Sequence, residues 1–354
     1  MNKDSVQSFF SSLSGKTILV VGDVMIDAYL WGKVERISPE APVPIVHIQK
    51  KENRLGGAAN VALNVNTLGA KAIMCSVVGD GSKGDIFRKT AKDLGFSTEG
   101  IIDSTERMTT VKTRVISGGH HIVRIDDEIT WPLSATDERN LLDCIDQILS
   151  RQKVDAIVFE DYDKGVLTEK VITHVIAKAK SLSIPVSVDP KLKNFNLYKG
   201  CSLFKPNLKE LKEGMKVEFA SDDTAAIEIS LVDLRNELNA EGVMVTRSEH
   251  GVTSFDGTSF STHSAHKREI VDVSGAGDTV IAVATLALAS GWNLADIAEI
   301  AKKIYENNGV ISAVCHGPSG LLNIKLSNGK YLVDGKRINA FTNEEEVAVK
   351  LDHV

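Results

Sequence analysis

Apolar and polar positions along the chain follow two patterns that alternate. Short apolar runs rich in β-branched residues occur at 17–21, 72–78, 154–159, 184–188 and 242–246. Runs of this kind are typical of strands buried on both faces. Segments with helical periodicity lie between them or beside them, at 57–68, 83–94, 136–150, 168–181 and 222–239. The alternation predicts an α/β fold with a mostly parallel sheet and helices on both faces, a fold that binds ligands beyond the carboxyl ends of its strands.

Two segments interrupt this alternation. Residues 28–50 contain three prolines and no helical period, and residues 109–128 suggest two strands around a Ser-Gly-Gly turn. They predict either a small separate β-sheet that covers the site as a lid or an edge extension of the main sheet. Residues 331–354 form an acidic tail, expected to be a docked strand or a loose terminus.

Composition and charge narrow the class of protein. The 354 residues are 43% apolar and 25% charged, which excludes a disordered, collagen-like or coiled-coil chain. With 41 basic and 47 acidic residues, no strong global field favours nucleic acid or an anionic membrane. The four cysteines are far apart, and no segment resembles a signal peptide or a membrane span. We therefore expect a cytoplasmic protein with reduced thiols that binds neither nucleic acid nor membrane.

The strongest chemical motif is DVSGAGDT at residues 272–279, directly before an apolar helix predicted at 279–290. Small residues let a ligand approach the backbone, and the free N–H groups of a first helical turn attract anions. A carboxylate beside a bound phosphate is a poor binder but a sensible base, so Asp278 is a candidate general base. The alternative is that Asp278 only caps the helix.

Four weaker motifs accompany it. Gly56, Gly57 and Asn60 open another helix, where they favour either a ligand or tight helix–sheet packing. Gly22-Asp23 and Asp27 end the first strand, where the carboxylates would accept bonds from sugar hydroxyls or form a turn.

Asn207 and Glu210 have the spacing both of a water-mediated Mg²⁺ site and of an N-terminal capping box. The segment at 245–251 (VTRSEHG) ends a strand and is equally consistent with a surface turn.

The GGAAN and DVSGAGD motifs, in this order and separation, resemble the two signatures of the ribokinase-like (PfkB) carbohydrate kinases, over roughly residues 15–325. Within that family, residues 34–44 (VERISPEAPVP), 161–167 (DYDKGVL), 188–191 (VDPK) and 245–249 (VTRSE) are similar to the heptose-7-phosphate kinases of ADP-heptose synthesis. Asp163 stands where that subfamily has glycine, and residues 306–320 depart from the family's small-residue helix.

The resemblance implies a three-layer sandwich with a β lid, a kinase domain over residues 1–330, and a homodimer that pairs through its lids. It implies ATP and Mg²⁺ as cofactors and admits a monovalent cation. Asp278 would be the base, with the backbone of Gly275, Ala276 and Gly277 as an anion hole. Other residues would contact the ligands: Asp27, Gly56, Gly57 and Asn60 the sugar, Asn207 and Glu210 the Mg²⁺ and phosphates, and Thr246, Arg247, Gly251 and Asn308 the nucleotide.

The implied reaction is phosphorylation of the anomeric hydroxyl of D-glycero-D-manno-heptose 7-phosphate. Four cations are candidates for the 7-phosphate, namely Arg36, Arg114, Arg124 and Lys191, although charged strand residues are more often solvated. The alternatives are a kinase for another sugar, a non-catalytic sugar-binding regulator on the same fold, or an NAD-dependent dehydrogenase. The dehydrogenase alternative would need the third glycine of a dinucleotide-binding fingerprint, which this sequence lacks.

Overall fold

A computed structural model of the protein describes residues 11–263 and 275–292. The strands of these residues are β1 (Thr17–Gly22), β2 (Val24–Ile37), β3 (Pro44–Gly57), β4 (Lys71–Gly79), β5 (Ile101–Ser104), β6 (Thr110–Ser117), β7 (His120–Asp127), β8 (Ala156–Glu160), β9 (Val186–Asp189), β10 (Leu203–Phe204), β11 (Gly242–Thr246), β12 (Val252–Phe255) and β13 (Phe260–His263). The α-helices are α1 (Ala58–Thr67), α2 (Ser82–Asp93), α3 (Ala135–Arg151), α4 (Glu169–Ser181), α5 (Leu208–Met215), α6 (Thr224–Leu238) and α7 (Ala276–Ala289).

The main sheet has the strand order β13-β12-β11-β10-β9-β8-β1-β4-β5 within the described ranges. Strands from β11 to β5 pair in parallel, and β12 and β13 add an antiparallel edge. The predicted strands and helices are present, with ends displaced by at most three residues; the largest difference is α7, which begins at Ala276 and not at 279. The predicted mostly parallel sheet is therefore confirmed.

Helices cover both faces of this sheet. Apolar side chains of α3, α4 and α6 form one buried cluster, and those of α1, α2 and α7 form the cluster on the opposite face. Both clusters draw alternate residues from the same strands; for example, Leu19 and Val20 of β1 belong to different clusters. Two-sided burial explains why the strands are continuous apolar runs in the sequence. None of the described helices is long and apolar enough to cross a membrane.

A second sheet of four strands, in the order β3-β2-β6-β7, forms the lid. Strands β2 and β3 are antiparallel, β6 and β7 form the expected hairpin, and β2 pairs with β6 in parallel. The lid is larger than predicted, because β2 begins at Val24, and only Asp23 separates it from β1. The change of sheet occurs without a loop, so the sequence contains no turn long enough to mark it.

Candidate active site

A row of charged side chains lies at the carboxyl end of the main sheet. Glu160 at the end of β8 is in register with Gly22 of β1 on one side and with Asp189 of β9 on the other. Lys205 follows β10, and its Nζ lies 2.7 Å from Oδ2 of Asp189. Both side chains of this ion pair are buried. A parallel sheet thus brings together residues that lie far apart in sequence.

The start of α7 lies over this row. Its N-cap, Gly275, has a φ of 82° and offers no side-chain hydrogen bond to the helix, so the N–H groups of the first turn lack a side-chain cap. A Cβ placed on Gly277 would lie 3.7 Å from Nζ of Lys205 and 3.6 Å from Oδ2 of Asp189. The helix terminus and the buried ammonium therefore converge on one place, an arrangement suited to phosphate oxygens. Lys205 was not among the predicted residues.

Asp278 lies in the first turn of α7, and its carboxylate is buried. Oδ2 accepts a 2.7 Å hydrogen bond from Nδ2 of Asn60, and Oδ1 accepts a 3.0 Å bond from the hydroxyl of Tyr162. Burial raises the pKa of Asp278 and the Asp189 carboxylate adds to this, while the bonds from Asn60 and Tyr162 and the charge of Lys205 oppose it. Gly275 occupies the cap position and the Asp278 oxygens bond to other elements, so helix capping does not explain this aspartate.

The loop after β8 is fixed by Asp23. The two carboxylate oxygens of Asp23 accept three backbone N–H bonds, from Tyr162, Lys164 and Val166. The side chain is thus fully engaged in holding this distant loop. Asp23 itself lies between β1 and β2 without a turn, so the turn-forming interpretation is wrong. Asp163 adopts a φ of 58°, a left-handed conformation that glycine takes freely and that aspartate tolerates. This explains how an aspartate can replace the glycine of related sequences.

Asp27 and the two glycines before α1 lie at the base of the lid. Oδ1 of Asp27 is 2.5 Å from Nη1 of Arg114, which pairs Asp27 with one of the predicted phosphate cations. A Cβ on Gly56 would lie 2.2 Å from Oδ2 of Asp27, and one on Gly57 would lie 2.3 Å from the carbonyl oxygen of Asp23. Close approach of the backbone, together with a φ of 60°, therefore requires glycine at position 57, whereas at position 56 the close atom belongs to the side chain of Asp27.

Asn207 and Glu210 form a capping box at the start of α5. Oδ1 of Asn207 accepts the N–H of Glu210 at 2.9 Å, and Oε2 of Glu210 accepts the N–H of Asn207 at the same distance. Oε1 of Glu210 is 2.6 Å from Nζ of Lys191. Burial lowers the pKa of Lys191, but the carboxylates of Asp189 and Glu210 outweigh it and raise the pKa. The capping interpretation is confirmed, and both oxygens of the Glu210 carboxylate are held by groups of the protein.

Three of the predicted nucleotide residues, Thr246, Arg247 and Gly251, lie at the end of β11 or shortly after it. Thr246 forms an isolated bridge with Asn207, which places the two motifs side by side. Arg247 is buried, and its guanidinium donates to Oγ1 of Thr253 at 3.0 Å and toward the carbonyl of Ser221 at 3.4 Å. Gly251 has a φ of 84°. The buried Arg247 side chain thus stabilises the fold through contacts within the protein. The predicted nucleotide residue Asn308 and the tail at 331–354 lie outside the described residues.

The remaining predicted cations differ in position. Arg36 is exposed near the end of β2, nine residues beyond Asp27, which corresponds to roughly 30 Å along an extended strand. Arg124 is also exposed and forms two 3.0 Å hydrogen bonds with Asp126 on its own strand. Among the described residues of the lid, Arg114 is the predicted arginine that the fold pairs with Asp27 at the base of the lid.

Known proteins resemble this chain in sequence and in fold. A protein named bifunctional protein HldE, from Citrifermentans bemidjiense, is 40% identical over 85% of this chain and 61% of its own length. The protein of the same name from Helicobacter pylori is 40% identical over 81% of this chain. The chain therefore spans about three fifths of these relatives. The crystal structure of phosphofructokinase-2 from Escherichia coli with substrates and products has a TM-score of 0.66 at 17% identity, covering 95% of this chain and 99% of that one.

The family model described as pfkB family carbohydrate kinase matches residues 16–304. This match spans both glycine motifs, the lid and the row of charged residues at the carboxyl end of the sheet. The chain therefore belongs to the PfkB family and is a carbohydrate kinase.

Proposed function

We propose that this protein transfers the γ-phosphoryl group of ATP to the anomeric hydroxyl of D-glycero-D-manno-heptose 7-phosphate. The hydroxyl oxygen forms a bond to Pγ, the bond from Pγ to the bridging oxygen of ADP breaks, and the hydroxyl proton passes to Asp278. The products are the 1,7-bisphosphate and ADP. One observation carries the catalytic part of the proposal: a buried carboxylate held by Asn60 and Tyr162 beside an anion-binding helix terminus.

At the sugar end of the site, the residues have three roles in this mechanism. Asp278 removes the proton, and the backbone N–H groups of Gly275, Ala276 and Gly277 stabilise the phosphoryl oxygens. Lys205 adds a fixed positive charge next to the same turn. Asp27, Gly56, Gly57 and Asn60 are proposed to contact the sugar, and the bond from Asn60 to the base supports this for Asn60.

The nucleotide end of the site is assigned to the elements beside α5. Asn207 and Glu210 would orient Mg²⁺ through water, because both Glu210 oxygens already accept hydrogen bonds from the protein. Mg²⁺ would neutralise phosphate charge, and the nucleotide itself would supply further ligands. Thr246, Arg247, Gly251 and Asn308 are proposed to line the nucleotide, and a monovalent cation is admitted by the resemblance.

The substrate class rests on the similarity of the lid and of the 161–167 and 188–191 segments to heptose-7-phosphate kinases. The high identity to proteins named HldE supports it. The distal phosphate is proposed to meet Arg114, with Arg36, Arg124 and Lys191 as further candidates. We also propose a cytoplasmic homodimer, since large apolar side chains such as Ile37, Val123 and Ile125 are exposed on the lid strands.

The test is an ADP-formation assay with a panel of acceptors: heptose 7-phosphate, unphosphorylated heptose, fructose 6-phosphate and ribose. We expect heptose 7-phosphate to give the highest kcat/KM, with ³¹P NMR showing a second phosphate on the anomeric carbon. A clear preference for another sugar would reject the heptose assignment and leave the kinase assignment intact. Size-exclusion chromatography with light scattering tests the dimer.

A further inference from the structure

The base is held by two side chains, and only one of them belongs to the glycine-rich motifs. Asn60 opens α1 and donates to Oδ2 of Asp278, while Tyr162, on the loop after β8, donates to Oδ1. Each carboxylate oxygen thus receives one neutral donor and keeps a lone pair for an incoming hydroxyl. The tyrosine belongs to the 161–167 motif (DYDKGVL), but nothing in that motif indicates a role at the base.

We propose that Tyr162 is a positioning residue that keeps Asp278 ionised and turns it toward the acceptor hydroxyl. This inference rests on the proposed role of Asp278 as the general base. It assigns to the tyrosine no contact with sugar or nucleotide, and all of its effect passes through the carboxylate of Asp278.

The tyrosine is itself held in place at both ends. Its backbone N–H donates to Oδ2 of Asp23 at 2.9 Å, within the clamp that fixes the whole loop. Its ring lies 5.5 Å from Nζ of Lys191, a distance that permits a cation–π contact. Because backbone and ring are both fixed, the hydroxyl has a defined position from which to orient Asp278.

The surroundings of Asp278 explain why a donor is needed there. Asp189 at the end of β9 and Glu160 at the end of β8 both disfavour a second negative charge, while Lys205 after β10 favours it. Burial and the nearby carboxylates raise the pKa of Tyr162 well above its ordinary value. The tyrosine therefore stays protonated at neutral pH and can only donate to the base, as Asn60 does.

The fold offers a matched control. Tyr198 is a second buried tyrosine whose hydroxyl donates to an aspartate, at 2.7 Å from Oδ2 of Asp161. Tyr162→Phe and Tyr198→Phe each remove one hydroxyl and leave one aspartate short of a hydrogen bond. Only the first affects Asp278, so the pair separates loss of positioning from a general loss of packing.

The experiment measures kcat/KM against pH for the wild type and both variants, with whichever acceptor the wild type phosphorylates best. In Tyr162→Phe we expect the acidic limb to move up by about one pH unit, the scale of a hydrogen bond to a charged group. At pH values below that limb, activity should fall about tenfold, since one unit is a factor of ten. Tyr162→Gln, which restores a donor N–H, should recover part of the shift, and Tyr198→Phe should keep the wild-type limb.

A second measurement does not depend on turnover. The ¹³Cγ signal of Asp278, assigned by its loss in Asp278→Asn, is titrated in the free protein. We expect its midpoint to be higher in Tyr162→Phe than in the wild type and in Tyr198→Phe. Equal midpoints and superimposable pH profiles would overturn the inference. A shifted midpoint in a protein that phosphorylates no acceptor would support the contact while rejecting the proposed function.

Discussion

Lys205 and Asp189 form an ion pair under the glycine turn of α7, with 2.7 Å between Nζ and Oδ2. Their side chains are only 2% and 8% exposed. Removing two charges from water carries a desolvation cost that their attraction only partly offsets. In the proposed mechanism, this lysine would meet a second negative charge during the reaction, the transferred phosphoryl group.

Replacing Lys205 by methionine should impair both stability and turnover. The variant leaves Asp189 buried without its partner, which typically lowers the free energy of unfolding by about 3–5 kcal/mol. Loss of the fixed charge should lower kcat by roughly 10²–10³-fold, as for other groups that stabilise developing charge. Urea denaturation and steady-state kinetics measure the two effects. The double variant with Asp189→Asn should regain stability and remain slow; recovery of both would assign Lys205 a purely structural role.

Asp278→Asn should bind both substrates and lose turnover. The amide keeps the shape of the side chain but cannot accept the sugar proton, and a positioned base contributes about 10²–10⁴-fold. Isothermal titration with ATP and with the sugar measures whether binding is retained, and single-turnover rates measure the loss of turnover. A rate above roughly a tenth of the wild-type value would contradict the assignment of the base, because tenfold corresponds to only 1.4 kcal/mol of barrier.

Glu210→Gln should raise the Mg²⁺ concentration needed for half-maximal rate more than it raises the sugar KM. The amide retains the bond to the N–H of Asn207 but loses the charge that faces Lys191. Rates measured over a Mg²⁺ series at saturating sugar give the comparison. Glu138→Gln serves as the control, because Glu138 also lies in the first turn of a helix, α3, and pairs with a lysine, Lys170, at 2.8 Å. If Glu210→Gln lowers only the melting temperature, the capping box alone accounts for the motif.

Arg114→Ala should weaken the binding of heptose 7-phosphate by about 1.5–3 kcal/mol, the scale of a charged hydrogen bond. The affinity for ATP should not change. Lysine should rescue sugar-phosphate binding only in part, because it lacks the planar fork. Arg88→Ala is the matched control, since Arg88 on α2 also pairs with an aspartate, Asp103, but lies outside the lid. The decisive comparison is the affinity for phosphorylated and unphosphorylated heptose. Equal losses for both would mean that Arg114 supports Asp27 and does not bind phosphate.

Stability should depend on pH through Asp161, on the clamped loop. Burial and the charge of the neighbouring Asp23 raise the pKa of Asp161 to about 6, although the hydrogen bonds from Tyr198 and Asn194 lower it. Because the folded protein then binds more protons than the unfolded chain between pH 4 and 6, this group favours folding at low pH and loses that effect as the pH rises. The difference in unfolding free energy between wild type and Asp161→Asn should therefore decrease by about 2 kcal/mol from pH 4 to pH 6. A constant difference would contradict the shift.

Much of the fold could be predicted because its signals are local. Runs such as 17–21 are apolar throughout since β1 is buried on both faces, and the Ser-Gly-Gly turn marks the β6–β7 hairpin. Asp278 and Asn60 could be found because glycines at helix starts indicate close backbone approach. The resemblance to a known family then joined motifs more than two hundred residues apart.

The remainder depends on contacts that no local pattern records. Lys205 belongs to no recognisable motif in the sequence. It becomes part of the site only because β9, β10 and α7 bring it next to Asp189 and Gly277. Tyr162 follows an ordinary strand, and its hydroxyl meets Asp278 across 116 positions of sequence. The parallel pairing of β2 with β6 likewise depends on long-range topology, since their sequences would also suit an antiparallel pair.

Asp23 has a further consequence for how this protein can change over evolutionary time. Its N–H bonds to Glu160, its carbonyl accepts the N–H of Ala58 that begins the Asn60 helix, and its carboxylate holds the Tyr162 loop. The same residue is also the joint between the core sheet and the lid. A substitution at this position would alter the entry angle of the lid and both supports of the base at once. We therefore expect substitutions to be tolerated more readily at residues farther out on the lid than at position 23, where one substitution disturbs several contacts together.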